Sequence, residues 1–374
     1  MNSYITRALG VTAAVGGIVA LSLAGVTAAT ADPASGSFSE ADTSTAAAAP
    51  VLDRYQGADR FATAADIAGR AYPDGAGTVI VANGLLFPDA LSAAPAAARI
   101  KAPLLLTAPT SLPSSVADRL VALKPRNVVV IGGVNAVSPA VATQITKLTG
   151  ATVERVQGAD RYATSRAVVD AFFAETGVYR AFVASGQNFP DAISASAAAG
   201  AGSTDSTGAP DAVVLVPGSA EHLDQATSTL LDDLQVETVA VVGGSLAVSD
   251  GIFGDLEAQF PGNIALLAGS DRYETSAFVA FFAFSDAEAV NPRDDDSGTV
   301  YLASGQNFPD ALSIAAVAGA EKSPVLLTAP GCTNYYAEDL IAGLASEKVV
   351  TIGGPAAVSE NAATLNYCPR PPVG

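Results

Sequence analysis

The chain has 374 residues, of which 49% are hydrophobic and 15% charged, with no Trp and a formal net charge of −18. That apolar content excludes a disordered polyelectrolyte and supplies enough material for two or three domain cores. The acidic balance argues against nucleic acid as a partner.

The amino terminus reads as a secretory signal peptide, residues 1–31. Met1–Arg7 carries the positive charge, a run of small apolar residues follows, and Ala29-Thr30-Ala31 is an A-x-A site that places cleavage before Asp32. The alternative is an uncleaved signal anchor, since the apolar run is long enough to span a bilayer. No later stretch reads as a membrane span. Residues 32–50 are Ala, Ser, Thr, Asp and Pro with almost nothing to bury, which predicts a flexible linker.

From Val51 the elements come in a regular order. Val51–Tyr55 is a short strand candidate, and Asp59 to Arg70 has helical spacing. Thr78–Ala82 is a buried strand closed by Asn83-Gly84. A helix follows with Asp89 as its expected N-cap. Pro103–Thr107 is the next strand, Ser114–Leu123 a helix, and Asn127–Ile131 a strand ending at Gly132-Gly133. Ser138-Pro139 opens the last helix, with Ser as cap and Pro in the first turn. Continuously apolar strands alternating with helices imply an α/β fold with a parallel sheet covered on both faces.

The series then repeats twice. Gln-Gly-Ala-Asp-Arg-Phe-Ala-Thr at Gln56–Thr63 returns as Gln157–Thr164 and, altered, as Ala268–Thr275. Each copy is followed by Phe-Pro-Asp-Ala (Phe87, Phe189, Phe308) and by Gly-Gly (Gly132, Gly243, Gly353). These are three modules: residues 51–150, 151–261 and 262–374. Polar insertions, Gly202–Pro210 and Asn291–Gly298, fall in connections. The signatures all follow strands, where open α/β sheets carry their ligand crevice. Three equivalent rims suit a long repetitive ligand.

The modules differ in charge. The first has nine Lys/Arg against six Asp/Glu, the second four against fifteen, and the third five against thirteen. An anionic ligand is therefore expected to be held best by the first.

Arg60, Arg161 and Arg272 are candidate grips for phosphate or carboxylate, or partners of a carboxylate across a module interface. Asp59, Asp160 and Asp271 beside them are candidate helix caps or ligand contacts. Asp89, Asp191 and Asp310 are either N-caps or acceptors for ligand hydroxyls. The Gly-Gly pairs match neither a dinucleotide fingerprint nor a P-loop. Asp294-Asp295-Asp296 lacks the spaced ligands of a calcium loop, and the lone His222 reads as a surface residue. No catalytic motif, metal set or cofactor signature is present. Cys332 and Cys368 are candidates for a bridge in an exported protein.

Taken together, Gly-Ala-Asp-Arg-Phe/Tyr-Ala-Thr, Ala-Ser-Gly-Gln-Asn-Phe-Pro-Asp-Ala (Ala184–Ala192 and Ala303–Ala311), Leu-Leu-Thr-Ala-Pro (Leu105–Pro109 and Leu326–Pro330) and Ile-Gly-Gly with a downstream Ala-Val-Ser resemble the cell wall binding repeat 2 family. The resemblance runs from Val51 to the carboxyl end. It implies Rossmann-like modules in a pseudo-threefold cluster, and noncovalent attachment of a secreted protein to an anionic secondary polymer, or another glycopolymer, of a Gram-positive cell wall. Repeat two departs with Val-Pro-Gly at Val216–Gly218, and repeat three with Ala268, Ser270 and Glu274; both are expected to be partly architectural. A zinc amidase needs several His or Glu ligands, and the chain has one His, so no enzyme of that kind is expected. The competing readings are a wall-active hydrolase using Asp carboxylates and a surface scaffold that binds another protein.

Overall fold

Strands buried on both faces have no polar side to show to water, so the apolar runs become sheet interiors. The computed structural model describes residues 49–86, 88–202, 209–285, 298–307 and 309–370. The expected signal peptide, residues 32–48, the Asp294-Asp295-Asp296 run and most of both insertions lie outside the described residues. Ala49–Gly374 form one unit.

The first repeat runs β1 (Val51–Tyr55), α1 (Arg60–Ala71), β2 (Thr78–Asn83), α2 (Pro88–Arg99), β3 (Leu104–Thr107), α3 (Ser114–Leu123), β4 (Asn127–Ile131) and α4 (Pro139–Thr149). The second runs β5 (Thr152–Val156), α5 (Arg161–Phe173), β6 (Arg180–Ser185), α6 (Pro190–Ala201), β7 (Ala212–Val216), α7 (Gln225–Asp233), β8 (Thr238–Val242) and α8 (Asp250–Gln259). The third runs β9 (Ile264–Leu267), α9 (Arg272–Phe284), β10 (Thr299–Ser304), α10 (Pro309–Ala320), β11 (Val325–Thr328), α11 (Tyr335–Gly343), β12 (Lys348–Ile352) and α12 (Glu360–Ala363). The Ala-Val-Ser phrase starts the helix after each Gly-Gly loop. Val137, Val248 and Val358 are buried, and Ser138, Ser249 and Ser359 accept the amides of Val141, Ile252 and Ala362.

The described residues form three parallel four-stranded sheets, ordered β3-β2-β4-β5, β7-β6-β8-β9 and β11-β10-β12-β1. The first strand of each repeat therefore completes the sheet of the repeat before it. β4-α4-β5 is one crossover unit, with Asn127 to Ile131 paired to Thr152 to Val156. β1 closes the ring from the other end, Val51 to Tyr55 lying beside Lys348 to Ile352. The sequence pattern does not reveal this exchange, because a periodic sequence has no privileged starting point.

Helices α2, α6 and α10 are buried on nearly every side. A helix apolar all round belongs at a centre rather than on a surface. The three pack against one another, and the same helical position in each, Ala98, Gly200 and Gly319, comes to one point. A Cβ on Gly319 would lie 2.7 Å from the Gly200 Cα, and one on Gly200 would lie 2.8 Å from the Ala98 Cβ. This is the pseudo-threefold axis. Hydroxyls bind around it: Ser196 donates to the Leu91 carbonyl at 2.8 Å, and Ser92 meets Ser165 at 2.7 Å. Ser165 and Ser276 accept the Leu215 and Leu327 amides on edge strands β7 and β11, blunting donors that would otherwise invite pairing.

Cys332 and Cys368 form a disulfide across a sequence separation of 36 residues. It holds the carboxyl-terminal segment beside the loop before α11, where Thr333 and Tyr367 also pair.

Gly319→Leu forces a side chain into the backbone of Gly200. We expect a loss of about 1–3 kcal/mol, read as a lower urea midpoint. Cys332→Ser/Cys368→Ser frees the tail, and the loop length sets the expected loss at about 3–4 kcal/mol, measured the same way.

Candidate functional site

The repeated phrase Gly-x-Asp-Arg-x-x-Thr is first a helix start. Asp59 accepts the amides of Phe61 and Ala62, Asp160 that of Ala163, and Asp271 those of Tyr273 and Glu274. Thr63, Thr164 and Thr275 accept the amides of Gly57, Gly158 and Gly269 at 3.0–3.1 Å. A carboxylate suits the positive end of a helix, so three of the four fixed residues are explained by capping.

The arginine does something else. Arg60 Nη1 donates to the Gly84 carbonyl at 2.9 Å, Arg161 to Gly186 at 2.7 Å, and Arg272 to Gly305 at 2.6 Å. Each arginine thus ties its helix start to the turn that ends the central strand of its own repeat. The next residue, Phe61, Tyr162 or Tyr273, lies against the same glycine, where a Cβ would meet the ring at 2.5–2.8 Å.

Asp89, Asp191 and Asp310 are not N-caps. They sit in the first turn of α2, α6 and α10, one residue inside the helix. Proline takes the first helical position, as its missing N–H allows, and this moves the carboxylate off the cap. Each carboxylate is enclosed by a Gly-Gly loop. A Cβ on Gly132, Gly243 or Gly353 would come within 2.3–2.5 Å of Asp89, Asp191 or Asp310, and all three glycines have φ between +94° and +103°. Only glycine meets both demands.

These carboxylates look across a seam at the arginine of the next repeat. Asp89 feels Arg161, Asp191 feels Arg272, and Asp310 feels the Thr63 hydroxyl and Arg60. Burial raises all three carboxyls above the ordinary value, and the facing arginine offsets part of that; Asp191 is pushed up to about 6. The structure therefore brings the candidate residues together as three seam sites, each holding an Asp from one repeat and an Asp-Arg from the next. At the seam between the second and third repeats a cavity of about 550 Å³ is lined by Phe189, Asp191, Leu246, Ser270, Asp271 and Arg272. A second hollow, between α5 and α7, has no repeated signature in it.

Two residues escaped the sequence reading. Arg54 donates to the carbonyls of Gly353 and Val358 at 2.7 and 2.9 Å. Arg155 donates to Gly132 and, at 2.8 Å, to Val137. Both stand two residues before the Gln of the repeated phrase, a coincidence that could have flagged them. They brace the Gly-Gly loop of the preceding repeat from the exchanged strand. The third repeat has Leu266 there. His222 is exposed beside Asp255. Among the described residues no group of three His, Cys, Asp or Glu side chains is placed to hold a metal ion, and no helix is long and apolar enough to cross a membrane.

Asp191 holds its proton more tightly in the folded chain than in the unfolded one, so folding takes up a proton between the ordinary value of 3.8 and about 6. Its contribution to stability is greatest below that window and falls as pH rises through it. Asp191→Asn stays neutral throughout. Its stability relative to the wild type is expected to rise by on the order of 2–3 kcal/mol from the acid to the neutral side, measured by urea unfolding across the window. An unchanged difference would mean that the carboxyl ionises as in water.

The pattern of the family described as Cell wall binding domain 2 (CWB2) matches residues 54–142, 155–253 and 267–363. The N-acetylmuramoyl-L-alanine amidase LytC of Bacillus subtilis (strain 168) is 28% identical over 330 residues, 88% of this chain and 60% of that protein. The Amidase enhancer of the same organism is 26% identical over 83% of this chain and 39% of its own length. Among solved structures, Cwp6 from Clostridium difficile superposes with a TM-score of 0.71 at 26% identity, over 85% of this chain and 48% of that one. Cwp8 from the same organism gives 0.67 at 26% identity, over 82% and 49%. The chain thus spans between 39% and 60% of the length of each of these relatives. With the family pattern matched three times over most of its length, the chain belongs to the cell wall binding domain 2 family.

Proposed function

We propose that this protein is exported, resides at the cell wall, and attaches noncovalently to an anionic wall polymer through its three seams. The observation that carries the reading is the construction of one rim three times over, from residues of adjacent repeats, in a chain of a wall-binding family. A polymer with a regular repeat can engage several rims at once, so weak contacts add as avidity. The basic first repeat serves two seams, giving Asp89 and Gly132 to one and Arg60 to another. The role of the rim is to bind rather than to catalyse. Asp59, Asp160 and Asp271 are engaged as caps, which leaves each seam one enclosed carboxyl instead of the free acid and base that a hydrolase needs.

The test is sedimentation of the protein with purified walls before and after acid extraction of their anionic polymers. Binding is expected to vanish on extraction and to weaken with salt. Arg60→Ala is expected to lower affinity for untreated walls about tenfold. Equal binding to both wall preparations would overturn the polymer assignment, and release of soluble wall fragments would turn the reading toward a hydrolase.

A further inference from the structure

The three seams are built from equivalent positions, yet one of them has been altered throughout. Where the first and third repeats have their Gly-Gly loops braced by Arg155 and Arg54, the equivalent strand position beside the second repeat is Leu266, which is 45% exposed. Gln157 and Gln56 stand close to Gly133 and Gly354, but Ala268 takes that place beside Gly244. At the loop tip, where the other repeats have Asn135 and Ala356, Leu246 is fully exposed at 102%. On the opposite side Ser270 replaces the Ala of the other two phrases. Its amide donates to Glu274 at 2.6 Å, and its side chain lies near the Tyr336 hydroxyl. Arg272 lies 6.0 Å from the centre of the Phe189 ring.

These changes act in one direction. The seam has one arginine where the others have two, and Glu274 stands at its Ser270 amide, as Glu360 stands at Arg54 in the seam between the third and first repeats. A phosphate-rich segment is disfavoured here. What the cavity offers is an apolar surface, Leu246 and Phe189, next to oxygen atoms of Asp191 and Ser270 and the one Asp271 oxygen that does not cap the helix. A sugar ring has the complementary faces: a C–H face for the apolar side and hydroxyls for the acceptors. At about 550 Å³ the cavity falls within the usual size of small-molecule sites.

We infer that the seam between the second and third repeats is a subsite for an uncharged sugar segment, while the two arginine-braced seams take the anionic groups. This rests on the wall-binding reading for its biological meaning but not for its test. An uncharged N-acetylglucosamine tetrasaccharide serves as one probe and a glycerol phosphate oligomer as the other, each titrated into protein with labelled Leu methyls. The methyls of Leu246 and Leu266 are expected to shift saturably with the neutral probe, equally at about 50 and about 300 mM salt. Leu246→Asp, at a fully exposed position, and Ala268→Gln, which restores the side chain of the other seams, are each expected to weaken this response at least tenfold. Absence of methyl shifts, or shifts produced by the glycerol phosphate oligomer instead, would overturn the subsite even if the protein sediments with walls. Neutral-probe shifts in a protein that fails to sediment would uphold the subsite and overturn wall attachment.

Discussion

Close approach of three helices governs this molecule. Helices α2, α6 and α10 meet where Gly200 and Gly319 leave room for Ala98. Their first turns carry Asp89, Asp191 and Asp310. The contact at the axis therefore fixes the azimuth of all three enclosed carboxylates together. It also explains the composition: Ala, Gly and Ser dominate these helices because larger side chains would push the backbones apart. Interiors are packed too densely to absorb such an insertion without a shift of the whole element.

The seams follow from that geometry. An arginine that reached only its own turn could be replaced by any donor of the right length. Here the same guanidinium also faces a carboxyl that belongs to the neighbouring repeat. Partly buried carboxyls are costly unless something positive stands near them, so each repeat depends on the next for its compensation. The glycine loop completes the enclosure, and in two of three cases the exchanged strand supplies Arg54 or Arg155 to fasten it. Capping, turn-fastening and charge compensation across the seam thus share the same few residues, and recurrence alone could not separate these roles.

The element order, the parallel sheets and the capping role of Ser138 were readable because each rests on local pattern. The roles open to Asp59 were readable too, since a short acidic side chain before a helix has few options. Asp89 was misplaced by two residues, because Phe-Pro-Asp offers two helix starts and only the fold decides between them. The exchange of β1, β5 and β9 was not readable, as repetition fixes the content of a unit but not its edges. Arg54 and Arg155 were missed because they lie on strands outside the most repeated words. Leu246 drew no attention because a lone apolar residue in a loop has no meaning until its neighbours are known.

The pairing of β1 with β12 has a consequence for how the protein comes into being. Arg54 binds a carbonyl 299 residues further along the chain, nearly the greatest separation the fold permits. The first strand to emerge during synthesis or export has no partner until the last strand has followed it. Contacts of such length are the slowest to form, so the ring is latched by its final segment. A chain interrupted anywhere before β12 keeps an unmatched strand at its head and an incomplete sheet at its tail, which makes full passage of the polypeptide a condition for the finished architecture.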